Sequence, residues 1–358
     1  MLYHYLAPLA SEYGFLNVVR YITFRSVLAA LIALVLSFVF GPWLIRALRA
    51  GQIRQPVSEF APEGHALKLG TPTMGGFLIL VSTLGSVLLA ADLWNFYVLV
   101  TIVVIVGFGT IGWFDDYLKV KRGNNAGFPM RAKFAAQVAV ALVAVVLLYI
   151  QPGFEPTVSV PFVKHYAPSL GWVYIPFAVL VIVGTSNAVN LTDGLDGLAI
   201  GPVMTTAATY AILAYCAGHA KIADYLLIPR VPGAGELTIV CAAMATASLG
   251  FLWFNTYPAQ LFMGDVGSLP LGAALGTVAV ISKHELVLVI AGGVFLVEAL
   301  SVIIQLGSLK LRRKRVFRMA PIYHHFELTG WPEPLIIVRA WIISIICALV
   351  TLSTLKLR

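Results

Sequence analysis

The sequence predicts an all-α polytopic integral membrane protein, and three observations carry that prediction. Charged residues are only 11% of the 358, against about 25% in an average soluble domain. Hydrophobic residues reach 59%, and mean hydropathy is +0.90. The apolar residues form ten continuous runs with few ionisable groups inside them. At about 20 residues per crossing, the apolar content suffices for about ten spans. This composition excludes a soluble globular enzyme, a disordered chain and a fibrous repeat.

The runs are roughly 26–48, 72–91, 93–114, 132–150, 170–190, 197–217, 236–255, 262–282, 285–309 and 335–355. Backbone polar groups in lipid must pair within their own segment, so each run is expected to be a helix. A barrel would need alternating strands of about ten residues, and these runs do not alternate. The first run follows Arg25 and holds Arg46 near its end, and the second opens in TPTMGG (71–76). The third closes in WFDDYLKVK (113–121), and the fourth follows Arg131. The fifth and sixth are joined by NAVNLTDGLDGLA (187–199), where Asp-Gly pairs mark a tight turn. The seventh and eighth are joined by FNTYPAQLFMGDVGSL (254–269). Gly292-Gly293 interrupts the ninth and predicts a kink. The tenth follows KLRRKRVFRMAPIYHHFELTGWPEP (310–334). Glu298, midway along the ninth run, is expected to pair with Arg339 in the tenth. No repeat or linker divides the chain, so 1–358 is expected to be one domain.

Basic residues orient the bundle. One side holds fifteen of the 24 Lys and Arg, in the loops after the first, third and ninth runs and at the start of the fourth. The other side, termini included, holds eight, and Arg339 lies within the last run. The richer side is expected to be cytoplasmic, which sends both termini outward. The formal net charge of +8 therefore requires no nucleic-acid partner. Cys216, Cys241 and Cys347 sit in apolar runs without metal-ligand spacing and read as buried hydrophobes. The first 20 residues lack the basic start and compact apolar core of a cleavable signal peptide.

Five aspartates fall at the cytoplasmic mouths of runs: Asp115, Asp116, Asp193, Asp196 and Asp265. Acids at membrane depth are costly and mark function. Capping or pairing with a loop lysine would explain one such acid, not five on one face. Asp115 and Asp116 repel unless a cation lies between them, and Lys119 shares a helical face with Asp115. Mg²⁺ is the natural cation, since it takes hard oxygen ligands and bridges carboxylates to substrate phosphates. Asn187 and Asn190 place amides beside Asp193 and Asp196. Asp265 could cap its helix. Phe262 could stack on a base, but its spacing reads as core. His324 and His325 suit phosphate binding, proton transfer or metal ligation rather than packing. The set fits phosphoryl transfer onto a lipid-borne acceptor, with one carboxylate as base or nucleophile.

These motifs carry a resemblance that covers nearly the whole chain, from YITFR at Tyr21 to the final LKLR. TPTMGG, FDDYLK (114–119), the two aspartate loops and HHFELTGWPEP (324–334) resemble the phospho-N-acetylmuramoyl-pentapeptide transferases. These form a branch of the polyprenyl-phosphate N-acetylhexosamine-1-phosphate transferase superfamily. The resemblance implies ten helices, a homodimer, and a site on the cytoplasmic face of the bacterial inner membrane. It implies transfer of phospho-MurNAc-pentapeptide from UDP-MurNAc-pentapeptide to undecaprenyl phosphate, giving lipid I and UMP, with Mg²⁺ required. By motif, Asp115, Asp116 and Asp265 are the essential acids, with Asp265 the Mg²⁺ ligand. Lys68, Asp193, Asp196, Asn255 and Phe262 fall where the nucleotide is contacted, which would make Phe262 a stacking residue. Lys119, Lys133, Asn187, Asn190, His324 and His325 are further polar site positions. Three consecutive histidines are usual where this chain has Tyr323-His324-His325, so His324 and His325 are expected to act and the first position to be dispensable. The alternatives are a GlcNAc-1-phosphate transferase of the same superfamily and a membrane carrier. The last loop argues against the first. The one-sided clustering of acids, without a repeat, argues against the second.

Overall fold

The computed structural model describes residues 2–53, 70–123, 127–163 and 166–356. Among them every regular element is helical. In order these are α1 (Leu2–Leu9), α2 (Ile22–Ala50), α3 (Gly76–Ala90), α4 (Phe96–Arg122), α5 (Met130–Tyr149), α6 (Tyr174–Thr192) and α7 (Ile200–Gly218). There follow α8 (Ala220–Leu226), α9 (Leu237–Asn255), α10 (Asp265–Ile281), α11 (Val287–Ala291), α12 (Gly293–Arg312), α13 (Ile322–Leu328) and α14 (Glu333–Ser353). Eight helices are long and apolar enough to cross a membrane, namely α2, α4, α5, α6, α7, α9, α12 and α14. They correspond to eight of the ten apolar runs. The runs at 72–91 and 262–282 became the shorter α3 and α10, of 15 and 17 residues.

The ends of these helices have local causes. The Asn95 side chain accepts hydrogen bonds from the N–H groups of Tyr97 and Val98, so α4 starts on a side-chain cap. It stops at Gly123, whose φ of 61° ends the helix in the left-handed region. α14 begins with Pro334 in its first turn, where a missing N–H costs nothing. The kink expected at Gly292-Gly293 is a full break, with Gly292 separating α11 from α12. The Ala291 carbonyl at that break is met by the Thr206 hydroxyl at 3.1 Å.

All 17 residues of α10 are buried. It packs chiefly on α4 and α6, with α3, α7 and α11 also in contact. A helix enclosed by protein need not match the bilayer thickness, which accounts for its shortness. The outer helices turn apolar side chains outward, as Ile342, Ile343, Ile346 and Leu349 do on α14.

One sequence expectation requires correction. Glu298 does not pair with Arg339: its Oε2 faces the Tyr323 N–H at 3.4 Å, while the Arg339 guanidinium stacks 4.2 Å from the Trp331 ring centre. A cation beside an indole face gains attraction without a carboxylate partner. Arg25 and Lys283, two of the eight basic residues counted on the outer side, are buried at 2% and 3% exposure. Arg25 forms a two-pronged pair with Glu236 at 2.7 and 2.5 Å. Lys283 donates to the Tyr174 hydroxyl at 3.1 Å and lies 3.5 Å from the Phe154 ring centre. Both clusters sit at the end of the bundle opposite Asp265.

Candidate active site

The site begins with one face of α4. Gly112, Asp115, Asp116 and Lys119 recur at helical spacing and so share that face. Gly112 lets α10 approach so closely that a Cβ there would lie 2.2 Å from the Asp265 carbonyl oxygen. The contact brings the first residue of α10 against the last turns of α4. Asp265 is not the cap of its own helix: Asp116 Oδ2 accepts the Val266 N–H at 3.0 Å, so the cap comes from α4.

Asp115, Asp116 and Asp265 are all buried, and one oxygen from each lies within 4.8 Å of the others. Lys119 Nζ is 2.5 Å from Asp115 Oδ2, 3.7 Å from Asp116 Oδ1 and 3.2 Å from Asp265 Oδ2. Lys133, one turn into α5, contacts Asp265 Oδ2 and lies 3.4 Å from Asp115 Oδ2. Asp115 Oδ1 accepts the Phe128 N–H at 2.8 Å, which pins the chain ahead of α5. Three carboxyl groups face two ammonium groups in a site largely closed to water. An all-oxygen set of this kind suits a hard divalent cation. The two lysines, at 28% and 18% side-chain exposure, approach from the open side.

The end of α6 completes the wall. Asn190 Nδ2 donates to Asp265 Oδ1 and to Ser268 Oγ, both at 2.8 Å, and so orients the Asp265 carboxylate. Asn187 points elsewhere, its amide donating to Gln137 Oε1 and to the Val183 carbonyl, both at 2.8 Å. Gln137, a buried amide on α5 that the sequence reading missed, is thus the partner that draws Asn187 away from the carboxylates. An amide inside the apolar run 132–150 was the available signal. Asp193 follows α6 and accepts a hydrogen bond from the Gly264 backbone. Withdrawal from water pushes its carboxyl well above the usual range, and the charges of Asp265, Asp116 and Asp196 push it further.

The turn at 193–197 is tied to the chain before α10. Asp196 Oδ2 accepts the Ala259 N–H at 3.0 Å. Asn255 Oδ1 accepts the Gly197 N–H at 2.9 Å, and its Nδ2 donates to the Leu261 carbonyl at 2.8 Å. Phe262 is not core. The chain there is extended and pairs with the segment before α3: Phe262 N–H donates to the Pro72 carbonyl, and Gly75 N–H to the Phe262 carbonyl. Neighbours on an extended chain face opposite ways, so Leu261 and Met263 are buried while Phe262 stays half-exposed.

His324 and His325 lie on α13, in the last basic loop. His324 Nδ1 is 2.6 Å from Glu327 Oε2, and His325 Nδ1 accepts the Arg318 N–H at 3.2 Å. Lys68 lies outside the described residues.

Comparison with known proteins adds to this geometry. The model of glycosyl transferase family 4 matches residues 95–283, more than half of the chain. Proteins called phospho-N-acetylmuramoyl-pentapeptide-transferase are similar along the entire length. Those of Citrifermentans bemidjiense and Geobacter sp. strain M21 are each 58% identical over 358 residues, covering both chains completely. That of Desulforapulum autotrophicum is 56% identical over 359 residues, again covering both chains. The chain belongs to the phospho-N-acetylmuramoyl-pentapeptide transferase family. For this family member the region matched by the glycosyl transferase model runs from the cap of α4 to the end of α10. It takes in all five aspartates, both lysines, Asn187, Asn190, Asn255 and Phe262, and it leaves out Tyr323, His324 and His325. The histidine loop is covered by the full-length relatives alone.

Proposed function

We infer that this integral membrane protein is a phosphoglycosyl transferase of bacterial peptidoglycan synthesis. It transfers phospho-MurNAc-pentapeptide from UDP-MurNAc-pentapeptide to undecaprenyl phosphate. A phosphate oxygen of the lipid bonds to the β-phosphorus, the bond from that phosphorus to the bridging oxygen breaks, and UMP leaves. The observation that carries the reading is the cluster of Asp115, Asp116 and Asp265 with Lys119 and Lys133, within a chain alike end to end to relatives of that name.

The donor set fits Mg²⁺, with Asp265 as ligand and Asp115 and Asp116 beside it. Bound there, the ion would offset the charge of the diphosphate and polarise the phosphorus under attack. The remaining roles belong to side chains. Lys119 and Lys133 meet the phosphates from the open side. Asn190 holds the Asp265 carboxylate in one orientation. Asp116 is the base for the lipid phosphate, because its Oδ1 is the least engaged oxygen of the cluster, 3.7 Å from Lys119. Both oxygens of Asp115 already meet an N–H or an ammonium, which favours direct attack by the lipid over a phospho-enzyme. Asp193, Asp196, Asn255, Phe262 and Lys68 receive the nucleotide, with Phe262 stacking on uracil. His324 and His325 serve the phosphate side.

The chain acts as one domain over 1–358. It crosses the membrane ten times, with α3 and α10 as the two short crossings, with both termini outside and with the site on the cytoplasmic face. It assembles as a homodimer. Tyr5 and Leu311 are 75% and 84% exposed, and Tyr5→Cys is expected to react with an impermeant thiol reagent in intact cells while Leu311→Cys is protected. Light scattering in detergent should give twice the chain mass.

The deciding experiment is UMP release by purified protein with undecaprenyl phosphate and Mg²⁺, offering UDP-MurNAc-pentapeptide and UDP-GlcNAc side by side. Release from the muramoyl donor alone is expected. Release from UDP-GlcNAc alone would move the chain to another branch of the superfamily.

A further inference from the structure

The turn from Asp193 to Gly197 is braced by side chains of α13 and α14. α14 packs on α7, α11, α12 and α13, yet its Trp341 reaches the turn. Trp341 Nε1 donates to the Gly197 carbonyl at 2.9 Å. The same indole lies against Gly201, where a Cβ would sit 2.3 Å from Nε1. Tyr323 of α13 lies against the other end of the turn. A Cβ on Gly194 would fall 1.9 Å from its hydroxyl, and Tyr323 is only 5% exposed. Leu195 and Leu198 join Tyr323, Ile336 and Ile337 in an apolar cluster separate from the main core. A turn reading Asp-Gly-Leu-Asp-Gly, with Gly197 at φ 77°, has wide backbone freedom of its own. Its shape must be imposed by what surrounds it, and a buried carbonyl left without a donor is costly.

We propose that Trp341 and Tyr323 are positioning residues that hold the 193–197 turn in its nucleotide-binding shape and thereby set the affinity for the sugar-nucleotide donor. The inference rests on the nucleotide placement proposed above. It makes the Tyr323 phenol a plate under the turn rather than a proton carrier.

The test uses the full-length enzyme in detergent, with steady-state kinetics on both substrates and calorimetric titration with UMP. Trp341→Phe keeps an aromatic ring and removes the N–H. Tyr323→Leu removes the plate, and Tyr323→Phe restores it without the hydroxyl. Trp341→Phe and Tyr323→Leu are each expected to raise the donor KM and weaken UMP binding by about tenfold. They should leave kcat within about twofold and the undecaprenyl phosphate KM unchanged. Tyr323→Phe is expected to behave as wild type. A fall in kcat at unchanged donor KM, or wild-type UMP affinity in both variants, overturns the brace. Asp196→Asn serves as control. If it also binds UMP as wild type does, the nucleotide lies elsewhere, and the placement falls together with the brace.

Discussion

Asp116 uses its two oxygens for different ends. Oδ2 caps α10 through the Val266 N–H, and Oδ1 stands toward the cluster. Asparagine retains an acceptor for Val266 but cannot take a proton from the lipid phosphate. Asp116→Asn is therefore expected to fold and bind UMP normally while turnover falls about 10²–10⁴-fold, the usual worth of a positioned base. Asp116→Ala should lose the cap as well, about 1 kcal/mol of stability, visible as a lower melting temperature. Direct attack also requires that enzyme incubated with the UDP donor alone carry no phosphate; a phosphorylated aspartate in its peptide map would reverse that assignment. Asp265 differs, because Asn190 and both lysines converge on its carboxylate. Asp265→Asn should abolish activity and flatten the Mg²⁺ titration. Chelation should silence the wild type, and added Mg²⁺ should restore it. Wild-type rate in the variant at low Mg²⁺ would remove Asp265 from the metal site.

At the scale of elements, the site depends on how near α4 lies to the start of α10. Gly112 sets that distance, since even one methyl there would collide with the Asp265 backbone at 2.2 Å. Backbone cannot swing aside as a side chain can. Gly112→Ala should thus cost about 1–3 kcal/mol through overpacking. It should lower kcat about 10²-fold if the carboxylates shift by roughly an ångström. Melting temperature and single-turnover rate together check this, and wild-type values for both would show that the helices have room to part. The same contact explains what periodicity could not tell. The run at 262–282 reads as one helix, but its first three residues are not helical: Phe262 and Met263 are tied to the segment leading into α3, and Gly264 turns the chain at a φ of 71°. The alternation of faces there, not helical spacing, keeps Phe262 out of the core.

At the scale of the molecule, the far end of the bundle is held by charge. Arg25 near the start of α2 and Glu236 just before α9 form a buried pair, and Glu236 also accepts the Asp92 N–H at 3.1 Å. The pair links three parts of the chain at the end away from Asp265. Removing one partner leaves a buried charge uncompensated. Glu236→Ala should lose about 3–5 kcal/mol of stability, while the surviving folded enzyme keeps its KM values. Thermal unfolding in detergent followed by kinetics on the folded fraction checks both halves, and unchanged stability would make the pair ornamental.

The helical class, the eight long spans and the three aspartates that meet in one cluster were legible in the sequence, because membrane burial imposes long apolar runs and makes each acid conspicuous. Lys119 beside Asp115 was legible too, since four residues along one helix fix a distance. What no run of residues could disclose is contact between elements far apart in the chain. Asp116 capping α10, Asn187 turning to Gln137, Glu298 facing Tyr323 instead of Arg339, and Trp341 reaching the 193–197 turn all span separations of 25 residues or more. Such partners are chosen by which helices pack together and how closely. That choice is a property of packed surfaces, and only the tertiary structure decides it.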